Sequence, residues 1–338
     1  MEMAKILPPL HTIESMIDQV MVENYDNEPR EHLGCSQIGH TCERWLWLSF
    51  RWAVRPSFSG RTLRIFRRGN REERIIASDL ENIGIDIRHT GASQKRISFG
   101  PHVGGSVDGI IERGVPGAES KRHIAEFKTT NAKNFAKLEK DGVQKAQPTH
   151  YAQMQLYMLG TGIDRALYVA VCKDDDRYYT ERVLLDQETA EALRDKALRI
   201  VASETIPAPI STDPSWYQCR FCDAHEFCHT TKLTKEVNCR TCAHSSVGEH
   251  WHCNRWEDVI PLSHQRKGCD SHVLHPDLVP WPFRQSDDEF DALYVIAGVP
   301  VMNGPNGYAS SELIANAPAC AAGLGQVFRE EMGGRIVG

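Results

Sequence analysis

The sequence predicts an α/β fold, a central mixed sheet flanked by helices, followed by a C-terminal cysteine-rich metal-binding extension. Three observations carry this. A helical period runs through residues 62–83, with Leu63, Phe66, Ile76, Leu80 and Ile83 apolar and Gly84 as the stop. From residue 85 the pattern changes to short β-rich segments punctuated by Gly and Pro. Beyond the boundary at Pro207, Pro209 and Pro214, most of the remaining chemistry lies in cysteines.

Taken in order, residues 1–34 read as a leader with one short amphipathic helix (Ile13, Met16, Ile17, Val20, Met21). Residues 42–52, dense in Trp and Leu, read as a buried helix. Strands follow at 85–89, 96–99, 103–112 and 123–129. Helices at 132–140 and 149–159, strands at 166–172 and 178–185, and a helix at 187–202 complete the order, which is that of a sheet with helical cover. Residues 35–232 are expected to form one module closed by a cysteine metal cluster, 233–285 a zinc-ribbon-like domain, and 286–338 a tail of unknown role.

At 338 residues the chain is long enough for a substantial core. No apolar run reaches the roughly 20 residues that span a bilayer, and the acidic N-terminus lacks a secretory pattern, so the expected location is the cytoplasm, without a membrane partner. Eleven cysteines, mostly in Cys-x-x-Cys spacing, point to metal ligation rather than a disulfide framework. The net charge of −6 does not suggest a nucleic-acid binder. Yet Arg51, Arg55, Arg61, Arg64, Arg67, Arg68, Arg71 and Arg74 crowd one stretch, and local clusters bind phosphate even on acidic proteins. A solvated arginine-rich helix face is the equal alternative.

In Ile124-Ala125-Glu126-Phe127-Lys128-Thr129, strand alternation puts Glu126 and Lys128 on one face and Ala125 and Phe127 on the other. Alone, Glu-x-Lys is often a plain ion pair. Upstream, however, stands Gly104-Gly105-Ser106-Val107-Asp108-Gly109, and a hairpin would bring Asp108 to Glu126. Adjacent carboxylates repel unless a cation neutralises them, and hard oxygen ligands suit Mg²⁺ or Mn²⁺. Acids also lie in Gly69-Asn70-Arg71-Glu72-Glu73, and Gln153 and Tyr157 share a helix face at i, i+4.

The ordered set Gly-x-x-x-Glu, Gly-x-x-Asp-Gly, Glu-x-Lys and Gln-x-x-x-Tyr resembles the RecB-type nuclease module of the PD-(D/E)xK superfamily, which includes AddB and the CRISPR-associated adaptation nucleases, over residues 35–230. The resemblance implies a restriction-endonuclease-like fold. It also implies Glu73, Asp108 and Glu126 as metal ligands with the Phe127 carbonyl, Lys128 as the catalytic lysine, and Gln153 with Tyr157 organising substrate. Many relatives carry His where Glu73 stands; Glu here is closer to the phage lambda exonuclease pattern, and Glu72 rivals it. Arg64, Arg67, Arg68 and Arg71 would hold the DNA backbone.

Cys219-x2-Cys222-x5-Cys228 supplies three thiolates and needs a fourth ligand. His225 or His229 would complete a zinc site. The segment Ser36-Gln37-Ile38-Gly39-His40-Thr41-Cys42 resembles the N-terminal cysteine segment of the iron–sulfur branch of this family, which implies Cys42 as fourth ligand of a [4Fe–4S] cluster, with Cys35 as its rival. Cys239-x2-Cys242-x10-Cys253-x15-Cys269 resembles a zinc ribbon, with His244, His250, His252 and His272 as substitutes. Cys172 and Cys320 read as packing residues.

The expected function is a Mg²⁺- or Mn²⁺-dependent deoxyribonuclease, an exonuclease of recombination or DNA-end processing. Phage origin would place it in the host cytoplasm, with a single-strand annealing or other recombination protein as partner. The alternatives are a non-catalytic metal-stabilised DNA-binding scaffold, and a nuclease subunit of a larger repair or recombination complex.

Overall fold

Ser59 opens the helix that the sequence pattern marks most clearly, its hydroxyl accepting from the Thr62 N–H. In this computed structural model residues 12–286 and 290–321 are described; expectations for the rest of the leader and tail, and for the Cys320 side chain, lie outside them. The chain forms two units, each gathered from separated stretches: Met1–Glu28, Pro56–Arg96 and Ser106–Asp186 in the first, Pro29–Arg55, Ile97–Gly105 and Gln187–Gly338 in the second.

In the first unit, α1 (Ile13–Glu23) starts from a Thr12–Ser15 capping box and lies on α2 (Gly60–Asn82). The approach requires Gly60, because a Cβ there would stand 2.4 Å from Asp18 Cα. The expected periodic set of α2 divides: Leu63, Ile76 and Leu80 are buried, while Phe66 and Ile83 are exposed. Ile83 has become the C-cap, and Phe66 meets Phe58 edge-on.

Five strands form the central sheet: β1 (Asp86–Arg88), β2 (Gly109–Arg113), β3 (His123–Thr130), β4 (Arg165–Cys172) and β5 (Tyr178–Leu184), hydrogen-bonded in that order. Only β3 and β4 run parallel; the other neighbours are antiparallel. Parallel neighbours need a crossover, and α3 (Ala132–Ala146) and α4 (Pro148–Thr161) supply it. The helix expected at 132–140 continues to Ala146 through a kink at Gly142 (φ 71°), where the Glu181 carboxylate accepts from the Val143 N–H. Pro148 sets the first turn of α4, and Gly162, left-handed at φ 69°, ends it. On one sheet face Ala125, Phe127, Leu167 and Val169 pack with Ile76, Ala77 and Leu80 of α2 into an apolar cluster.

The single strand expected over 103–112 is two, Val103–Ser106 and Gly109–Arg113. The chain breaks its ladder at Val107, whose N–H turns to the Lys95 carbonyl, and at Asp108, whose carboxylate accepts from the Phe127 N–H at 2.8 Å. Gly109 packs closely there: a Cβ would stand 2.9 Å from the tip of the Ile87 side chain, which would have to move aside.

In the second unit the helix Glu43–Phe50 buries Leu46, Trp47, Leu48 and Phe50. The helix Gln187–Ala202 is tied to the Pro29–Arg55 stretch by Lys196, which donates to the Ile38 and His40 carbonyls, and by a fork from Arg199 to Glu43. Strands Ser245–Val247, Trp251–Cys253 and Asp258–Val259 make a small antiparallel sheet. The described part of the tail is folded. Strands Ala292–Ile296 and Val299–Asn303 pair, the helix Ser310–Ala321 follows, and Tyr294, Val301 and Leu313 share one core with Leu233, Val273 and Leu274. No described helix is long and apolar enough to cross a membrane.

Arg240, 1% exposed, lies 3.6 Å over the Trp52 ring and near Trp251 and Phe50. It donates to the Phe50 and Glu31 carbonyls and to Gln265 Oε1. Burial pulls this guanidinium down to about 9 from its ordinary value, so ring faces and fixed dipoles carry the charge. Arg240→Ala leaves three acceptors without a donor and an emptied box; the expected loss is about 3 kcal/mol of stability, read from chemical denaturation.

Candidate active site

Strand alternation and one broken ladder assemble this site. β3 turns Ala125 and Phe127 into the apolar cluster and Glu126 and Lys128 to the opposite face. The antiparallel pairing of Gly109 with Ala125 carries Asp108 to the same end of the sheet. Lys128 Nζ donates to Glu126 Oε1 and, at 3.0 Å, to the Phe127 carbonyl, and stands 3.9 Å from Asp108 Oδ2.

Glu126 is fully buried, and its Oε2 has no hydrogen-bond partner. Burial raises its carboxyl from 4.5 to about 8; Lys128 opposes this, and Asp108 and Glu73 add to it. For Lys128, burial favours the neutral amine, but Glu126 and Asp108 outweigh that and hold the ammonium above its ordinary value. Of the two upstream acids, Glu73 is the one in the field of Asp108 and Lys128, and it is raised by burial first and Asp108 second. Glu72 instead acts on Tyr178, whose hydroxyl donates to Asp79.

On α4, Gln153 Nε2 donates to the Tyr157 hydroxyl at 3.1 Å, both side chains buried. Sequence reasoning missed two neighbours. Tyr168 on β4 stands beside Glu126 in the parallel register, and His150 on α4 lies 2.9 Å from its hydroxyl. Burial first and Lys128 second push His150 down to about 3, so its ring is neutral. The signal available was the i, i+3 spacing of His150 and Gln153; the parallel register was not visible. Of the arginines, Arg64 is engaged with Glu14 and Asp18 and Arg68 donates to the Lys173 carbonyl, whereas Arg67 and Arg71 are solvent-exposed on α2.

Both cysteine sets converge within the second unit. Cys42, Cys219, Cys222 and Cys228 line one small cavity, with His225 and His229 at its wall; Cys35 is fully buried and does not line it. Cys239, Cys242, Cys253 and Cys269 line another, with His244 and His272. Those two histidines are hydrogen-bonded elsewhere, to the Phe290 carbonyl and the Ser310 hydroxyl. Burial, then the neighbouring thiols, pushes Cys239 up to about 12, while Cys222 and Cys242 reach about 11. Backbone N–H groups of Ala224 and His244 point at the sulfurs of Cys222 and Cys242. As placed, no group of three or more His, Cys, Asp or Glu among the described residues forms a ready coordination shell.

A family model described as the PD-(D/E)XK nuclease superfamily matches residues 9–229. No curated protein matches. Among solved structures, SSO0001 is similar at 15% identity and a TM-score of 0.41 over 64% of this chain and 96% of its own. An alkaline exonuclease from Laribacter hongkongensis, solved also in complex with dAMP, is similar at 16% identity and a TM-score of 0.39 over 56% of this chain and 91% of its own.

A carboxyl raised by burial favours the fold while protonated. Its contribution is complete below 4.5 and is lost as pH rises through about 8. Metal-free protein is therefore expected to lose stability across that window, and Glu126→Gln to lose less; thermal melts of both from pH 5 to pH 9 at roughly unit steps would check this.

Proposed function

Because this chain belongs to the PD-(D/E)XK nuclease superfamily, we propose that it is a Mg²⁺- or Mn²⁺-dependent deoxyribonuclease, working as an exonuclease in recombination or DNA-end processing. One observation carries this reading: a fully buried Glu126, one oxygen unpartnered, beside Asp108 and Lys128 at the end of a sheet. A buried carboxylate pair stays uncomfortable unless a cation joins it, and the donor set fits a hard divalent ion.

Asp108, Glu126 and the Phe127 carbonyl would hold that ion, with Glu73 on its upstream side. Bound there, the ion would supply Lewis acidity and a more acidic water. Lys128 keeps its proton and donates to the scissile phosphate as negative charge develops. Gln153 and Tyr157, locked to each other, hold the substrate strand in place, and Arg67 and Arg71, exposed on α2, attract its phosphates, with Arg64 and Arg68 joining only by leaving their present partners. Lys128 now occupies Glu126 Oε1 and the Phe127 carbonyl, so the lysine stands where positive charge is wanted and must yield part of that place.

The two cysteine sets extend the reading. Cys42, Cys219, Cys222 and Cys228 suit a [4Fe–4S] cluster, with zinc as the alternative, and Cys239, Cys242, Cys253 and Cys269 suit zinc. Thiols that burial and one another keep protonated are ligands waiting for a cation. The work proposed for both is structural, metal affinity becoming folding energy. A single-strand annealing or other recombination protein is the proposed partner, and the cytoplasm, that of a host if the chain is phage-encoded, the proposed location.

The test is cleavage of end-labelled linear DNA, single- and double-stranded, with Mg²⁺ or Mn²⁺. Wild type is expected to cut, and Lys128→Ala to lose about a hundredfold or more; an inert, folded wild type would sink the reading. Cys222→Ser is expected to lower the melting temperature and bleach any brown colour. A variant that melts like wild type would remove the staple.

A further inference from the structure

Every oxygen that Lys128 now touches is one that the proposed function assigns to the divalent ion: Glu126 Oε1, the Phe127 carbonyl and, at 3.9 Å, Asp108 Oδ2. Once those oxygens are engaged, the ammonium needs another neighbour to fix its direction. An unfixed lysine on a flexible four-carbon stem makes a poor aimed donor.

The β3–β4 pairing supplies one. Tyr168 stands beside Glu126, and Ala170, beside Lys128, contributes only a methyl group and leaves room. Tyr168 is 1% exposed, so its hydroxyl must be satisfied within the protein. His150 Nδ1, 2.9 Å away, does this, with the two rings 5.8 Å apart between centroids. His150 is itself held on the first turn of α4, three residues before Gln153 and so on the same helix face. With the His150 tautomer that bears its proton on Nε2, Nδ1 accepts from the Tyr168 hydroxyl, whose oxygen lone pairs then stay free for another donor.

We propose that Tyr168, oriented by His150, is a positioning residue for Lys128: its hydroxyl oxygen receives the ammonium and keeps it aimed at the reacting phosphate when the carboxylates are engaged. The proposal rests on the nuclease reading of this site. His150 acts only through Tyr168. The pair therefore behaves as one unit, and removing either member does the damage of removing both.

The experiment combines two readouts on the full chain. The first is the Cε resonance of Lys128 in protein carrying ¹³C-lysine and saturated with Mg²⁺, assigned through Lys128→Arg. The second is steady-state cleavage of linear DNA. Tyr168→Phe and His150→Gln, each checked for a wild-type melt, are expected to shift the Lys128 resonance. Each is expected to lower kcat by roughly ten- to a hundredfold with KM unchanged, and the double variant to be no worse than either. An unmoved Lys128 resonance in Tyr168→Phe overturns the proposal whatever the activity. So does an undiminished kcat in Tyr168→Phe while wild type cleaves, or losses that multiply in the double variant. A wild type that does not cleave overturns the nuclease reading instead, and the resonance still decides whether Tyr168 holds the lysine.

Discussion

The burial of the Glu126 carboxyl group governs this protein. A carboxylate removed from water and left with an unpartnered oxygen is stable only if it keeps a proton or gains a cation. In the structure Lys128 meets half of that need, and Asp108, itself an acid, adds to it. The site is thus held short of positive charge. The same condition recurs in both cysteine cavities, where thiols crowd one another under burial. Three places in one chain gather acidic groups whose ionisation burial opposes.

Such places lower stability and must be held by what surrounds them. Around Glu126 the holding is done by the ordinary strengths of the fold. Phe127 and Ala125 root β3 in the apolar cluster beneath α2, and the parallel ladder to β4 runs from Ile124 to Thr130 without interruption. The broken ladder at Asp108 is the one concession: the side chain there takes over a backbone hydrogen bond that the strand gives up. A hydrogen bond is exchanged rather than lost, and a carboxylate is turned toward the site.

Local rules made much of this legible in advance. Period-two alternation placed Glu126 and Lys128 together, Gly84 marked the end of α2, and Cys-x-x-Cys spacing marked both thiol sets. What escaped depends on register and distant packing. Tyr168 reads as one more strand aromatic until the parallel pairing puts it beside Glu126. Arg240 looks like a surface residue between two cysteines, yet Phe50 and Trp52 from far along the chain enclose it together with Trp251. Phe66 satisfies a helical period and is exposed all the same, because the stripe it belongs to faces the sheet only over part of the helix. The tail offered no chemistry to read, since its role in the described residues is to complete a core begun at Leu233.

The interleaving of the two units has a consequence for the newly made chain. The first unit has all its residues once Asp186 has left the ribosome, and domains generally fold as they are completed. The second cannot close until the strand Val299–Asn303 and the helix Ser310–Ala321 have been made, though its opening stretch, Pro29–Arg55, emerged long before. Trp52 and Phe50 must wait through that interval without Arg240 and Trp251, and Trp47 without His275. Synthesis therefore leaves a sticky aromatic segment unburied, and the speed of translation through residues 187–313 sets how long it stays so.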